Sequence, residues 1–175
     1  PSAVADRGGV VGASYLEMVD NVREVLSSLG TEFPEWSGRG YQIVGFGWHQ
    51  GVSDGSEPFA TGYKDNLPDL ISDVRAEFGK PSLPFVIAST GMMGTGGTKP
   101  PQAHPYPDYS KVEKAQLWVA GIDKPKQVLS DDTRKYFEPT EKSPRNQGFH
   151  WHGNARSYFR IGLGLGEDMV QLLTP

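Results

Sequence analysis

Helical faces and short apolar runs alternate along this chain, and two unequal kinds of segment join them. Tyr15, Val19, Val22, Leu26 and Leu29 step by fours and threes along one helical face, with Gly30 as its expected stop. Leu67, Leu70, Ile71, Val74 and Phe78 make a second face, ended by Gly79 and Pro81. Val112, Ala115 and Val119 make a third. Ala155, Tyr158, Gly162, Leu165, Met169 and Leu172 make the longest, with Asn154 as its N-cap. Between them, residues 41–48, 84–90 and 126–130 read as strands. The order α-β-α-β-α-β-α predicts a parallel sheet with helices on its faces. No repeat or linker interrupts it, so residues 1–175 read as one domain.

The segments from helix to strand are short, about ten, five and five residues. Those from strand to helix, residues 49–64, 91–108 and 131–153, are long. In a parallel sheet the long segments all emerge at the carboxyl edge, where α/β proteins bind ligands. All four histidines (His49, His104, His150 and His152) fall in them. Trp48, Trp151, Tyr63 and Tyr106 lie at their edges or within them. One cleft at that edge is the functional reading; the plainer one is that polar loops collect histidines anyway.

Composition removes several function classes. The formal charge of −4, without a Lys/Arg stripe, argues against nucleic acid as a partner. The absence of cysteine removes disulfides, thiolate catalysis and cysteine zinc sites. No apolar run approaches the roughly 18 residues of a membrane helix. The chain opens at Pro1 rather than Met, as a processed or truncated product does.

His, Gln, Ser and Asp without Cys suit acyl transfer by a serine nucleophile. That chemistry needs an imidazole to take the hydroxyl proton and donors to hold the oxyanion. His150 and His152 flank Trp151 just before a helix and are the candidate bases. Gln50 offers a side-chain N–H, and Gly51 an approachable backbone N–H. A structural hydrogen bond is the alternative role for either histidine. His150 and His152 with His49 as a metal site is a further alternative, but no carboxylate stands at a ligand spacing, so neither metal nor cofactor is expected. The run from Gly91 to Lys99 lacks the Gly-Lys-Ser/Thr of a phosphate loop, since Pro100 follows Lys99. Gly162, Gly164 and Gly166 lie inside a helical pattern, where close packing on the sheet is their expected role.

Trp48-His49-Gln50-Gly51-Val52-Ser53-Asp54 resembles the Trp-aromatic-Gln-Gly-x-x-Asp block of the sialate O-acetylesterase-like domain. That domain belongs to carbohydrate esterase family 6 and its relatives in the SGNH hydrolase superfamily. The resemblance continues through the run from Tyr63 to Leu67, Asp73-Val74-Arg75, residues 84–88 and Ala115-Gln116. It ends in the run from Gln147 to Ala155, with Tyr158 and Ile161-Gly162. It implies a flavodoxin-like three-layer α/β/α fold and an esterase that removes acetyl groups from carbohydrate. It further implies export, to the periplasm or outside the cell.

Under that resemblance Gln50 is the oxyanion donor and His150 the general base, with His152 as its rival. Trp48, Gly51, Trp151 and His152 are the expected substrate-binding residues. The family places an Asp three residues before its histidine, where this chain has Gln147 before His150 and Phe149 before His152. Asp54 and Asp132 are the candidate orienting acids, with Asp54 preferred because it shares the first block. The family's Gly-Asp-Ser or Gly-Gln-Ser nucleophile block is absent. Ser14, Ser53 and Ser89 are the internal serines to consider, and none matches a nucleophile position. The expectation is a chain whose N-terminal strands are missing, with a companion segment supplying the serine. A carbohydrate-binding relative that kept the cleft but lost the nucleophile is the alternative.

Overall fold

The computed structural model describes residues 10–36, 38–94, 106–123, 127–147 and 149–174. Helix α1 (Ala13–Glu32) precedes strand β1 (Phe46–Trp48), helix α2 (Phe59–Glu77) and strand β2 (Phe85–Ala88). Helix α3 (Tyr109–Ile122), strand β3 (Val128–Asp131) and helix α4 (Ala155–Leu173) follow. The strands form one parallel sheet in the order β1-β2-β3. This is a flavodoxin-like α/β/α arrangement of the SGNH hydrolase type.

Two cores flank the sheet because strand side chains alternate between its faces. Phe85 and Ile87, both fully buried, pack with Tyr63, Leu67, Ile71 and Val74 of α2 and Val112, Ala115 and Val119 of α3. Phe46 stacks on Phe85 with ring centroids 4.8 Å apart. On the other face Ala88 and Met92 meet Trp151 and Ile161 of α4. Each fully buried side chain of this size contributes about 1.5–3 kcal/mol. At the opposite end of the sheet, Arg75 pairs with Asp123 at 2.7 and 3.2 Å and donates to the Leu83 carbonyl at 3.1 Å. It thereby ties the end of α2 to the entry of β2 and the end of α3.

The boundaries differ from expectation in instructive places. Helix α1 runs through Gly30 to Glu32, so that glycine does not stop it. Helix α2 begins at Phe59, which moves Tyr63 and Lys64 from a loop onto a helix. Gly79 does follow its end, at φ +61°. Only the last three residues of the 41–48 run form a strand, because only they pair with β2. Tyr41 and Val44 are about half exposed. Asn154 caps α4 as expected, its side chain accepting from the Arg156 and Ser157 amides at 3.0 and 3.3 Å. Of the three glycines in α4, Gly164 alone packs closely. His104, the run from Thr95 to Lys99, Lys126 and Gly148 lie outside the described residues. Among those described, no helix is long and apolar enough to cross a membrane.

Candidate active site

The loop after β1 turns at Gly51, whose φ of +144° and close neighbours exclude a side chain. A Cβ there would stand 2.7 to 2.8 Å from Val112, Gln116 and Thr90. The turn leads into a short helical segment, Val52–Asp54. Gln50 Nε2 donates to Asp54 Oδ2 at 2.8 Å, and the Tyr63 hydroxyl donates to Gln50 Oε1 at 3.2 Å. Trp48 Nε1 donates to the Tyr63 hydroxyl at 3.1 Å. One Gln50 N–H is committed to Asp54, which leaves its second available. Burial pushes the Tyr63 phenol up, so it stays protonated and able to donate.

The loop before α4 carries a left-handed run. His150, Trp151 and His152 have φ of 48°, 53° and 52°, and Gly153 follows at 67°. Each non-glycine residue held there costs on the order of 1–3 kcal/mol and needs surroundings that enforce it. The His152 amide donates to the Phe149 carbonyl at 3.2 Å, and the Asn154 amide to the Trp151 carbonyl at 2.9 Å. Asn154 Nδ2 donates to the Lys142 carbonyl and to Ser143 Oγ. Trp151 is buried as the anchor of the turn, while His150 is left exposed. The turn therefore buries its tryptophan and presents its first histidine.

The two loops meet at the carboxyl edge around a cleft of about 260 Å³. His49, Gln50, Gly51, Ser53, His150 and Trp151 line it, with Thr90, Met92 and Tyr158 closing the sides. The Tyr158 hydroxyl donates to the His150 carbonyl at 3.2 Å. The His49 ring lies 6.2 Å from the Tyr158 ring. One face of His49 is open, but the protein behind it desolvates the ring and lowers its pKa. His152 is not among the residues lining this cleft; it is buried against the Phe137 ring, and its Nδ1 has no partner among the described residues. Trp48 and Asp54 line an adjoining hollow of about 170 Å³ with Phe59, Tyr63 and Asn66, and Gln50 borders both.

The two candidate acids hold other partners. Asp54 accepts from Gln50, and Asp132 is paired with Arg134, whose hydrogen bonds hold its carboxyl below the usual range. Among the described residues, no side chain hydrogen-bonds either ring nitrogen of His150. Ser53 lies on the cleft, whereas Ser89 is fully buried and bonded to Thr133. No group of three or more His, Asp or Glu side chains that could hold a metal occurs among the described residues. Gln116 was not among the expected site residues. It lies beneath the cleft and bonds both the Gln50 carbonyl and the Thr90 amide.

A parallel sheet with glycine turns, imidazoles and amide donors at its carboxyl edge defines an α/β protein with a candidate active site at that edge. The family model described as carbohydrate esterase, sialic acid-specific acetylesterase matches residues 6–171, and the chain belongs to that family. It is also similar in structure to a protein from Arabidopsis thaliana, with a TM-score of 0.59 and 23% identity. That match covers 91% of this chain and 53% of the other, so the chain spans about half the length of that relative. No curated protein matches the sequence.

Proposed function

We propose that this chain forms the base-bearing wall of an esterase that hydrolyses O-acetyl groups on carbohydrate, with the serine nucleophile carried on another segment. The observation behind this reading is the meeting of His150 with Gln50 and Gly51 in one cleft, contributed by loops about a hundred residues apart. His150 takes the serine proton as the hydroxyl attacks the acetyl carbon. Gln50 and Gly51 donate to the oxyanion, and water then releases acetate from the acyl-enzyme. Trp48, Phe59 and Tyr63, in the hollow beside Gln50, offer flat apolar faces to a sugar ring, and Asp54 and Asn66 offer polar contacts.

The edge of the sheet offers a seat for a companion segment. Strand β1 is the edge of the sheet, with one side of its ladder unpaired among the described residues. Phe159, Leu163 and Val170 of α4 are more than half exposed and fall on one helical stripe. Met169 of the same helix meets Gly45 just before β1, so the stripe borders that edge. A strand pairing there brings its carboxyl end beside Gly51.

Intact-mass measurement and N-terminal sequencing of the active preparation, with 4-nitrophenyl acetate turnover, test the reading. A companion peptide containing Gly-Asp-Ser or Gly-Gln-Ser, and inactivation by a serine-directed phosphonate, are expected. A lone chain without turnover contradicts it.

A further inference from the structure

Gln116 is fully buried on the otherwise apolar face of α3 formed by Val112, Ala115 and Val119. The Thr90 amide donates to its Oε1 at 2.7 Å. Its Nε2 donates to the Gln50 carbonyl at 2.6 Å and to the Tyr63 hydroxyl at 3.2 Å. Ser130 Oγ donates to its main-chain carbonyl at 2.5 Å. The carboxyl ends of all three strands thus converge on one residue. These partners permit a single orientation of the amide, since Oε1 must accept and Nε2 must donate.

The consequence falls on the next peptide. The Gln50 carbonyl is held by Gln116 and by the Tyr63 hydroxyl at 3.2 Å, both inside the protein. The Gln50–Gly51 bond is trans, Glu57–Pro58 being the cis bond among the described residues. In a trans peptide the N–H points opposite to the preceding carbonyl. The Gly51 N–H therefore points away from α3, toward the cleft that Gly51 lines with His150. No acceptor among the described residues takes it. An amide that lines a cleft without a protein acceptor can donate to an oxygen of a molecule bound there.

We propose that Gln116 is the positioning residue of this cleft, fixing the Gln50 carbonyl inward so that the Gly51 N–H is aimed at the oxyanion of ester hydrolysis. The assignment rests on the esterase reading. When the serine oxygen bonds the acyl carbon, the carbonyl π pair moves onto oxygen, and the Gly51 N–H donates to it. Gln116 itself touches neither substrate nor reacting atoms. Glutamate is nearly isosteric but, ionised, has no hydrogen to donate to the Gln50 carbonyl.

The test compares wild type, Gln116→Glu and Tyr63→Phe in the assembled esterase. Losing one oxyanion donor costs about 10²- to 10³-fold in kcat. Gln116→Glu, which misaims rather than deletes the donor, is expected to lose at least about tenfold in kcat, with KM within about twofold. Its activity relative to wild type should rise as pH falls, because a protonated glutamate can donate again. Tyr63→Phe removes the longer bond to the same carbonyl together with the hydroxyl's contacts to Gln50 Oε1, Trp48 and Gln116, but leaves Gln116 holding the carbonyl, so its kcat loss should be smaller. A Gln116→Glu kcat within twofold of wild type at alkaline pH, where the buried carboxyl is ionised, overturns the proposal. Amide NMR of ¹⁵N-labelled protein titrated with acetate separates this proposal from the esterase reading. Acetate should shift the Gly51 resonance in wild type and not in Gln116→Glu. If wild type hydrolyses no acetate ester, the esterase reading fails, and an identical Gly51 response in the two proteins then rejects the role of Gln116.

Discussion

Gly164 of α4 passes the Asp131 carboxylate at the end of β3 so closely that a Cβ at residue 164 would overlap Asp131 Oδ2. The same Cβ would stand 2.5 Å from the Tyr136 hydroxyl. Asp131 is buried, and its Oδ1 is held by Lys135 at 2.5 Å, so it has little room to yield. Gly164→Ala is therefore expected to destabilise the protein by about 1–3 kcal/mol through overpacking. Gly162 and Gly166 have open space where a Cβ would go. Gly162→Ala and Gly166→Ala are expected to stabilise by roughly 0.5–1 kcal/mol through helix propensity. Urea denaturation of the three variants separates a packing glycine from two incidental ones.

Asn154 caps α4 with its oxygen and ties down residues 142–143 with its nitrogen. Asn154→Ala loses both and is expected to cost about 1–2 kcal/mol for the cap alone. Asn154→Asp keeps the acceptor but loses both donations, so thermal unfolding should place it between wild type and Asn154→Ala. The left-handed run at 150–152 adjoins this residue, so under the proposed esterase reading both variants should also lose activity through His150.

The four helices, the parallel sheet and the edge at which His49 and His150 meet follow from apolar spacing and loop length. Strand β1 read too long because Tyr41 and Val44 carry strand-forming side chains but have no paired neighbour. The left-handed turn was not legible, since nothing in His-Trp-His signals three successive positive φ values. Gln116 left a readable trace, a polar residue inside the stripe of Val112, Ala115 and Val119. Its partners were not readable, because they lie 26 and 66 residues away. The GxGxG run predicted close packing for three positions, and helical geometry grants it only to Gly164, the one aimed at β3.

His150 and Ser53 line the same cleft but are expected to differ in consequence. Under the proposed esterase reading, His150→Ala should lower kcat by about 10²- to 10⁴-fold, the usual range for a general base. Ser53→Ala should leave 4-nitrophenyl acetate turnover within about twofold if the nucleophile comes from elsewhere. The reverse pattern would place the nucleophile on Ser53 and remove the need for a companion segment.

His49 supplies a pH dependence whose sign is fixed by its surroundings. Burial lowers its folded-state pKa from the ordinary 6.5, so the folded protein binds fewer protons here than the unfolded chain does. Stability should therefore rise with pH across the interval just below the ordinary histidine range. The contribution of His49 is fully present above 6.5 and is lost as pH falls through the depressed folded value. Urea midpoints measured across mildly acidic pH should show this slope in wild type. In His49→Gln, which cannot titrate, the slope should be shallower over the same interval. If His49→Gln keeps the full slope, the acid sensitivity belongs to other groups and His49 is not desolvated in solution.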